Sequence, residues 1–537
     1  MKTSRLEKLR QEVRGTITQL GLDPYPVEFG LVSKERMDEI SAYDGFPERY
    51  PHWKFGMKYD QQRKKARYGG MKIYELVVNS SPALAYLRED NSVIQNKAIM
   101  AHVYAHSDFF KNNRWFFPTR EDMVKVTREH GNRVEKLMGS HGVSRVESFL
   151  DRVLSLQFNI DQYLPYQSPR KKEETKEAGG EKIPVKRDYM DRFINPPEWV
   201  EQDKGDEKNE KSSTGEEAEQ LPTTDILGFL AENGDLKSWE KDIISLVREE
   251  SYYFAPQLMT KVMNEGWAAY WQSRVMNEEE LAEAEEFLDH ADMLSRVLAG
   301  RGLNPYLLGK KIWEDVRERW NKGRHGREWE NCSDRKRRER WDREEGRGLE
   351  KMLELRKNLN DVSFIDAYFT EEVLEGLNLF TYEWLPKTGN YHITARDFDP
   401  IKKKLLFRFT NLGRPTIKVK TGNFENKSEL LLVHEFNGVN LHLPDGRKVL
   451  KNIYEMWGRP VNLKTVQKKT PEGITPEISG EEPKRKGEND GKSPDYEGLK
   501  LRYDGEEFQK EEVPEEELDE LMFETTDYDT VPRNWKV

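Results

Sequence analysis

The sequence predicts an α+β fold, with a predominantly helical N-terminal domain over residues 1–358 and a smaller C-terminal α+β domain over residues 359–467. A change of pattern along the chain predicts this division. Apolar residues recur at helical spacing through most of the first part, and after residue 359 they form short runs separated by Gly, Asn and Pro. Residues 468–537 are acidic and poor in apolar side chains, which predicts a disordered tail.

The N-terminal elements follow from this spacing. Leu6, Leu9, Val13 and Ile17 lie on one face of a first predicted helix, and the string GLDP at residues 21–24 ends it. An apolar, β-capable run at residues 73–79 ends in Asn-Ser-Ser-Pro and predicts a short strand. Further helices are predicted over residues 92–111, 121–138 and 143–157.

The rest of the chain changes character twice. Residues 168–222 are rich in Lys, Glu, Gly and Ser, which predicts a disordered insertion. Helical spacing then returns over residues 225–233, 238–255, 257–275, 278–299 and 305–321. In the C-terminal domain we predict a helix over residues 448–457 and strands over residues 390–395, 405–411, 416–421, 429–436 and 440–443.

Composition narrows the class of protein. Aromatic residues make up 11% of the 537 residues, which fits a globular chain rather than a disordered one. No run of about 18 apolar residues occurs, so no membrane span is predicted. The N-terminus lacks the apolar core of a secretory signal, and the single cysteine, Cys332, excludes an intrachain disulfide, so we expect a cytoplasmic location. No glycine-rich phosphate loop occurs, so nucleotide binding is not predicted.

Charge is unevenly distributed along the chain. The net charge is −11, and most of the acidic excess lies after residue 466. Residues 319–347 contain nine arginines, which allows nucleic-acid binding as one interpretation. Acidic residues are interleaved with these arginines and dilute their field. A solvated helix with salt bridges is therefore the preferred interpretation, and nucleic acid is not expected as a partner.

A candidate metal site lies on two of the predicted helices. His102 and His106 are four residues apart, so they share one face of a helix, and this is the spacing by which one helix grips zinc. Glu265 is the candidate third ligand, and Gly266 beside it would let another backbone approach closely. The sequence thus predicts a divalent metal, with zinc as the first choice. The alternative is a pair of buried histidines that are hydrogen-bonded structurally.

A histidine pair on one helix and a Glu on a later helix resembles the layout of gluzincin metallopeptidases, which implies a zincin-like helical core. The resemblance is incomplete at one position. In H-E-x-x-H enzymes the residue after the first histidine is the Glu that activates water, whereas this chain has Val103 there. A base would have to come from elsewhere, with Glu249 and Glu250 as the candidates, or Tyr104 would have to act in a different way.

Several rare strings, in a fixed order along the chain, carry a wider resemblance. They are DPYP at residues 23–26, RYPHW at 49–53, KIYELV at 72–77, HVYAHSDFFKNN at 102–113, REESYYFAP at 248–256, NEGWAAYW at 264–271, LNPYLLG at 303–309, DVSFI at 361–365 and WGRPVNLKT at 457–465. Together they resemble the SpoVR family over roughly residues 20–465. The family typically has Gly and Cys where this chain has Ala105 and Ser107, and often His where it has Gln272. These positions are therefore not expected to be indispensable ligands.

The resemblance implies a physiological setting more than a reaction. The family is named for a role in bacterial sporulation, in formation of the spore cortex, and members also occur in bacteria that do not sporulate, so a stress response is a second implied setting. Relatives are often encoded beside a serine protein kinase and a von Willebrand A-like protein, which are therefore the implied partners. No settled biochemical activity comes with the family.

Two functions from different classes follow. The first is a metal-dependent hydrolase acting on peptide or peptidoglycan-like bonds, with the metal held by His102, His106 and Glu265. The second is a non-catalytic regulatory or scaffold protein that works with the kinase, in which the histidines are structural. Convergence of the three side chains is the geometric requirement of the first. Glu75 and Asp108, which lie near these strings, are interpreted as structural hydrogen-bonding residues.

Overall fold

The computed structural model describes residues 3–67, 75–166, 222–277, 303–385, 389–468 and 496–522, together with the single positions 291 and 295. The predicted insertion over residues 168–222 lies outside the described residues except for its last position. The predicted helix over residues 278–299 also lies outside them, apart from those two single positions. For the residues that are described, the predicted class, α+β and mainly helical, is confirmed.

The N-terminal region combines helices with a small mixed sheet. Its helices are α1 (Thr3–Gln19), α2 (Lys34–Ala42), α3 (Trp53–Arg67), α4 (Val93–Asn112), α5 (Met123–His141) and α6 (Val143–Leu154). Its strands are β1 (Val27–Val32), β2 (Glu75–Val78) and β3 (Ala83–Arg88), in the spatial order β1-β3-β2. Strand β1 runs parallel to β3, and β2 runs antiparallel to it. The predicted helices of this region are all present.

The central region is helical. Its helices are α7 (Ile226–Asn233), α8 (Ser238–Met259), α9 (Lys261–Asn277), α10 (Pro305–Asn321), α11 (Gly326–Glu330), α12 (Arg335–Glu339), α13 (Gly348–Asn358), α14 (Asp361–Tyr368) and α15 (Glu371–Gly376). The arginine-rich segment was predicted to be a single solvated helix. This prediction is wrong, because the segment contains several short helices. A turn with positive φ at Glu344 (52°) and Gly346 (66°) separates α12 from α13. The salt bridges are present, as between Arg343 and Glu328.

The C-terminal region contains two sheets. Strands β4 (Thr381–Leu385) and β5 (Asn390–Ala395) form an antiparallel pair, and helix α16 (Phe398–Phe409) follows them. The larger sheet has the order β10-β9-β8-β7-β6. Its elements are β6 (Thr416–Phe424), β7 (Glu429–Glu435), α17 (Leu443–Trp457), β8 (Val461–Lys468), β9 (Tyr496–Tyr503), β10 (Phe508–Glu512) and α18 (Glu515–Leu521). Strands β7 and β8 are parallel, so α17 is the crossover that joins them.

Two predicted strands are wrong. Residues 405–411 lie mostly in helix α16, where Ile401, Leu405 and Leu406 are buried at helical spacing. The consecutive apolar run at 405–407 suggested a strand, but it covers only one turn of this longer amphipathic pattern. Residues 440–443 form no strand either, because the chain enters α17 at Leu443.

The prediction of a disordered tail over residues 468–537 is wrong for Tyr496–Met522. Strand β9 pairs with β8 over its whole length, and β10 pairs with β9. Leu499, Leu501 and Tyr503 alternate with charged residues and are buried, which is the pattern of a strand with one face on a core. The acidic composition of the whole segment concealed this short alternation.

The apolar side chains form two principal cores. The first joins α1, α4, α9 and α10 and contains Trp271 and Trp313. It also contains Ile365 and Leu405, which lie within the predicted C-terminal domain. The second joins α5 to α8 with α17 and the larger sheet.

Among the described helices, none combines the length and apolar character needed to cross a bilayer.

Candidate metal centre

Helix α4 presents the two histidines from inside the first core. It begins at a capping box in which Ser92 and Gln95 each bond the other's backbone N–H. His102 and His106 follow one turn apart, with ring centroids 4.6 Å from each other, and both are buried. Two imidazoles in this position need specific polar partners, because the surrounding side chains are largely apolar.

Helix α9 supplies these partners. His102 Nδ1 lies 2.8 Å from Gln272 Oε1, and His106 Nδ1 lies 2.8 Å from Asn264 Oδ1. The earlier histidine is thus bonded to the later amide, so α4 and α9 run antiparallel at this contact. Glu265 lies between the two amides along α9, and it is buried as well.

The three predicted ligands converge. Glu265 Oε2 lies 3.4 Å from His106 Nε2 and 4.0 Å from His102 Nε2. One ligand atom from each of the three residues lies within 4.8 Å of the other two. The structure therefore brings together all three residues that the sequence analysis named, which satisfies the geometric requirement of a shared metal site.

The hydrogen bonds at Nδ1 decide which ring nitrogen faces Glu265. An amide oxygen only accepts hydrogen bonds, so each Nδ1 carries a proton, and Nε2 is the ring nitrogen that faces Glu265 Oε2. Glu265 Oε2 is itself buried, and no hydrogen bond within the described residues satisfies it. When both rings are neutral, two Nε2 lone pairs and a carboxylate face one another, and this arrangement favours a cation between them. A metal-bound histidine usually has its second ring nitrogen held in just this way.

Burial and charge tune the same residues. Burial, reinforced by the neighbouring His106, lowers the pKa of His102 to about 3, so this ring is neutral at neutral pH. Burial alone would raise the pKa of Glu265. The Lys261 ammonium and the two histidine rings outweigh that effect and hold the pKa of Glu265 well below its ordinary range. At neutral pH the set therefore contains a carboxylate and a neutral ring, both in the state that binds a metal.

Lys261 and Tyr306 border the centre. Lys261, one turn before Glu265 on α9, forms an ion pair with Glu265 Oε1 while its own side chain is 48% exposed. Its Nζ also lies 5.9 Å from the Tyr306 ring centroid, and that ring stacks on His102 at 6.1 Å. The half-exposed side chain of Lys261 therefore marks the side on which the carboxylate of Glu265 is nearest to solvent.

Close helix packing fixes the position of Glu265. A Cβ added to Gly309 on α10 would lie 2.0 Å from the backbone oxygen of Val262, and one added to Gly266 would lie 2.3 Å from the backbone of Gly309. Neither position has room for a side chain. The prediction that Gly266 permits close approach of another backbone is confirmed, and the partner is α10.

The other residues named from sequence have different roles. Asp108 is a structural residue, as predicted: it accepts from the backbone N–H of Asp23 and from Trp267 Nε1, and it pairs with Arg356. The side chain of Glu75 lies outside what the structure describes.

The three alternative bases do not contact the centre. Glu250 pairs with Arg49 and His130, and Glu249 contacts His130 and Arg120. Tyr104 projects from a different face of α4 than the histidines and packs on Phe29. The proposal that one of them serves as the base at His102 and His106 has no support in these contacts.

Sequence reasoning missed Asn264, Gln272 and Lys261. Asn264 adjoins Glu265 in the string NEGWAAYW, and Gln272 was noted only as a departure from the family. Asn264 and Gln272 are eight residues apart, so they lie on the same side of α9, about two turns from each other. The histidines they bond are only one turn apart on α4, so both bonds can form only at a particular crossing of the two helices. That relation depends on the packing of α4 against α9 and is not visible in either string alone.

Comparison with known proteins places the chain in a family. A family model described as "SpoVR like protein" matches residues 1–414, and a second described as "SpoVR-like C-terminal domain" matches residues 415–468. The chain therefore belongs to the SpoVR family, as its strings predicted. The name of the family points to a role related to sporulation.

A curated relative shares most of this length. The Escherichia coli (strain K12) protein named "Uncharacterized protein YcgB" is 27% identical over 481 residues, which cover 82% of this chain and 88% of the relative. No solved structure is significantly similar to the chain.

Proposed function

We propose that this SpoVR-family protein binds one divalent metal ion, with zinc as the first choice, through His102 Nε2, His106 Nε2 and Glu265 Oε2. The observation that carries the proposal is the convergence of these buried atoms within 4.8 Å, with both Nδ1 atoms held by amide oxygens. A two-histidine, one-carboxylate set is the ligand set of catalytic zinc sites, which keep a further position for water or substrate.

We further propose that the metal serves a hydrolytic reaction on peptide or peptidoglycan-like bonds, in a sporulation or stress pathway. A bound zinc ion polarises a carbonyl group and lowers the pKa of a bound water. The proposed site resembles that of a zincin in its ligands, which are a His pair on helix α4 and a Glu on the later helix α9. The chain lacks the usual base of a zincin because Val103 replaces the Glu, so activation of the water would rest on the metal. Lys261 would offer a positive charge to an oxyanion beside Glu265.

Elemental analysis of the purified full chain tests the metal. We expect close to one zinc per wild-type chain and a loss of bound metal in His102→Ala, His106→Ala and Glu265→Gln. His442→Ala is the matched control, because His442 is exposed and bonds Asp445 rather than a second histidine. Full metal content in His106→Ala would show that the ion, if any, is held elsewhere.

Turnover separates a catalytic from a structural metal. The zinc-loaded chain should release soluble fragments from purified peptidoglycan or from a peptide library, and Glu265→Gln and chelator should abolish the release. If zinc binds stoichiometrically and no bond is cleaved in either substrate, the hydrolytic part of the proposal is wrong. The regulatory or scaffold role beside a serine protein kinase and a von Willebrand A-like protein is then the better proposal.

A further inference from the structure

A second candidate site lies away from the metal centre. A cavity of about 270 Å³ opens between the segment that leads into α5, the chain just after α6, and the C-terminal half of α8. It shares no lining residue with the metal centre. The residues that line it are Pro118, Thr119, Arg120, Met123, Gln162, Pro165, Tyr166, Glu249, Tyr252, Tyr253, Ala255 and Pro256.

The wall suits a compact apolar or aromatic body. Three tyrosines, three prolines and Met123 make up most of it. Small-molecule sites are typically lined this way, with a few polar groups that fix the orientation of the ligand. The volume is just below the usual range for drug-sized ligands, so the fitting ligand is small, about one aromatic ring with a short chain.

The hydroxyl donors that line the cavity are already engaged. Tyr252 donates to Asp225 Oδ2 at 3.0 Å, and Tyr253 donates to the backbone oxygen of Asn79 at 3.0 Å. Thr119 donates to the backbone oxygen of Phe116 at 2.6 Å, and Tyr166 donates to the backbone oxygen of Trp115. A ligand that presents only acceptors would find none of these hydroxyl hydrogens free.

Acceptor capacity, in contrast, remains. Gln162 is 8% exposed, and its Oε1 receives no hydrogen bond from any residue that the structure describes. A buried amide oxygen without a donor is uncommon in folded proteins and indicates a missing partner. Glu249 accepts hydrogen bonds from Arg120 and from His130, and a carboxylate can accept about four, so part of its capacity remains.

The charged side chains at the rim of the cavity also favour a cationic ligand. Arg120 donates to Asp122 and to Glu249, so one guanidinium faces two carboxylates. Carboxylate charge beside tyrosine rings is the environment that organic cations prefer. Arg120 is 53% exposed, and its charge is balanced by these two partners before any ligand arrives.

We propose that this cavity binds a small organic amine as its ammonium ion, with the apolar body among the tyrosines and prolines and the N–H donors directed to Gln162 Oε1 and Glu249. The inference is independent of the metal centre, so either can fail without the other.

Isothermal titration of the full chain with 2-phenylethylamine and with 3-phenylpropionate tests the charge of the ligand. The two probes have the same ring and a similar chain length but opposite charge. We expect the amine to bind and the carboxylate to bind at least about tenfold more weakly, as expected when hydrogen bonds to a charged group are lost. Equal or tighter binding of the carboxylate would overturn the proposal, because Arg120 would then be the recognition group.

Variants test the two acceptors. Gln162→Leu removes the buried oxygen at similar size and should weaken amine binding about tenfold, whereas the matched change Gln11→Leu on the exposed face of α1 should leave it unchanged. Glu249→Gln, which keeps the shape of the side chain, should also weaken the amine if Gln162→Leu does not fold. Unchanged affinity in both cavity variants overturns the assignment. So does the absence of binding at millimolar 2-phenylethylamine, tyramine and benzylamine.

Discussion

At the residue scale, each histidine of the centre has one nitrogen fixed and one directed at a carboxylate. The His pair could be predicted from the sequence because i, i+4 spacing is a property of one helix. Glu265 was predicted separately, from the string NEGWAAYW on a later helix. The amides of Asn264 and Gln272 could not, since their role depends on how two helices cross. The absence of the zincin Glu at Val103 was visible in the sequence, while the position of Lys261 beside Glu265 emerged only from the structure.

The Gln272 amide gives a prediction about metal affinity. Gln272→Met removes the acceptor that fixes the His102 ring, so we expect zinc to bind about 10- to 100-fold more weakly, the usual cost of losing such a partner. Gln272→Glu keeps an acceptor at the same place and should retain the affinity. Competition with a fluorescent zinc chelator measures both. Equal affinity for zinc in Gln272→Met and the wild type would contradict the role of the amide.

Lys261 gives a prediction of opposite sign. Its ammonium is paired with a metal ligand, so it competes with the ion for the charge of Glu265. Lys261→Met should therefore bind zinc more tightly, by about fivefold, the change expected if the pair contributes about 1 kcal/mol after solvent screening of the half-exposed lysine. Lys311→Met, which removes a lysine that pairs with Glu314 on α10, is the control. Weaker zinc binding in Lys261→Met would mean that Lys261 supports the site.

At the element scale, the contact between α9 and α10 positions the centre. The two helices approach at Gly266 and Gly309, and Trp313 on α10 donates to the backbone oxygen of Met263 on α9. Asp361 accepts from the backbone N–H groups of Val262 and Met263 at 2.8 Å each, which satisfies donors at the start of α9. The helices could be predicted from their apolar spacing. The cap could not, because it joins residues that are 98 or more positions apart in the sequence.

The glycine contact predicts a large loss of stability. Gly309→Ala would place a methyl group against the backbone oxygen of Val262, so α9 and α10 must separate, and we expect a loss of about 3 kcal/mol or more in the free energy of unfolding. Gly139→Ala on α5 meets nothing within 4 Å and should instead be neutral or stabilising by up to about 1 kcal/mol. Denaturant unfolding compares them, and similar stability of the two variants would contradict the packing.

A buried histidine in β7 predicts a pH dependence. His434 Nδ1 lies 2.9 Å from Thr465 Oγ1, and burial lowers the pKa of His434 to about 4 from 6.5. Between these values the unfolded chain binds a proton that the folded chain does not, so stability falls as the pH is lowered from about 6.5 towards 4, by at most about 3 kcal/mol. The melting temperature of His434→Gln should fall less steeply over this range. Parallel curves for the two proteins would contradict the assignment.

At the scale of the whole molecule, the two cores divide the chain differently from its sequence pattern. The change from helical to strand-like spacing near residue 359 suggested a boundary there, yet Ile365 and Leu405 pack in the first core. The larger sheet packs on α5 to α8 instead, and these helices lie far earlier in the chain. Composition could not reveal this pairing, because it reports local pattern and not which surfaces meet. The acidic composition of residues 468–537 led to the wrong prediction for Tyr496–Met522 for the same reason.

Truncation tests the corrected tail. Removal of residues 469–537 would expose the edge of β8 and the apolar surface that Leu499, Leu501 and Tyr503 cover, so we expect aggregation or a clearly lower melting temperature. Removal of residues 523–537 alone leaves β9, β10 and α18 in place and is the control. Equal solubility and melting temperature for both truncations would contradict a structural role for Tyr496–Leu521.

The central claim is that His102, His106 and Glu265 hold one metal ion. The most direct measurement is anomalous diffraction at the zinc edge from crystals of the full chain grown with zinc. We predict a single strong peak about 2.0–2.2 Å from both Nε2 atoms and from the carboxylate of Glu265. A map with zinc peaks only elsewhere, and with Glu265 still paired to Lys261, would contradict it.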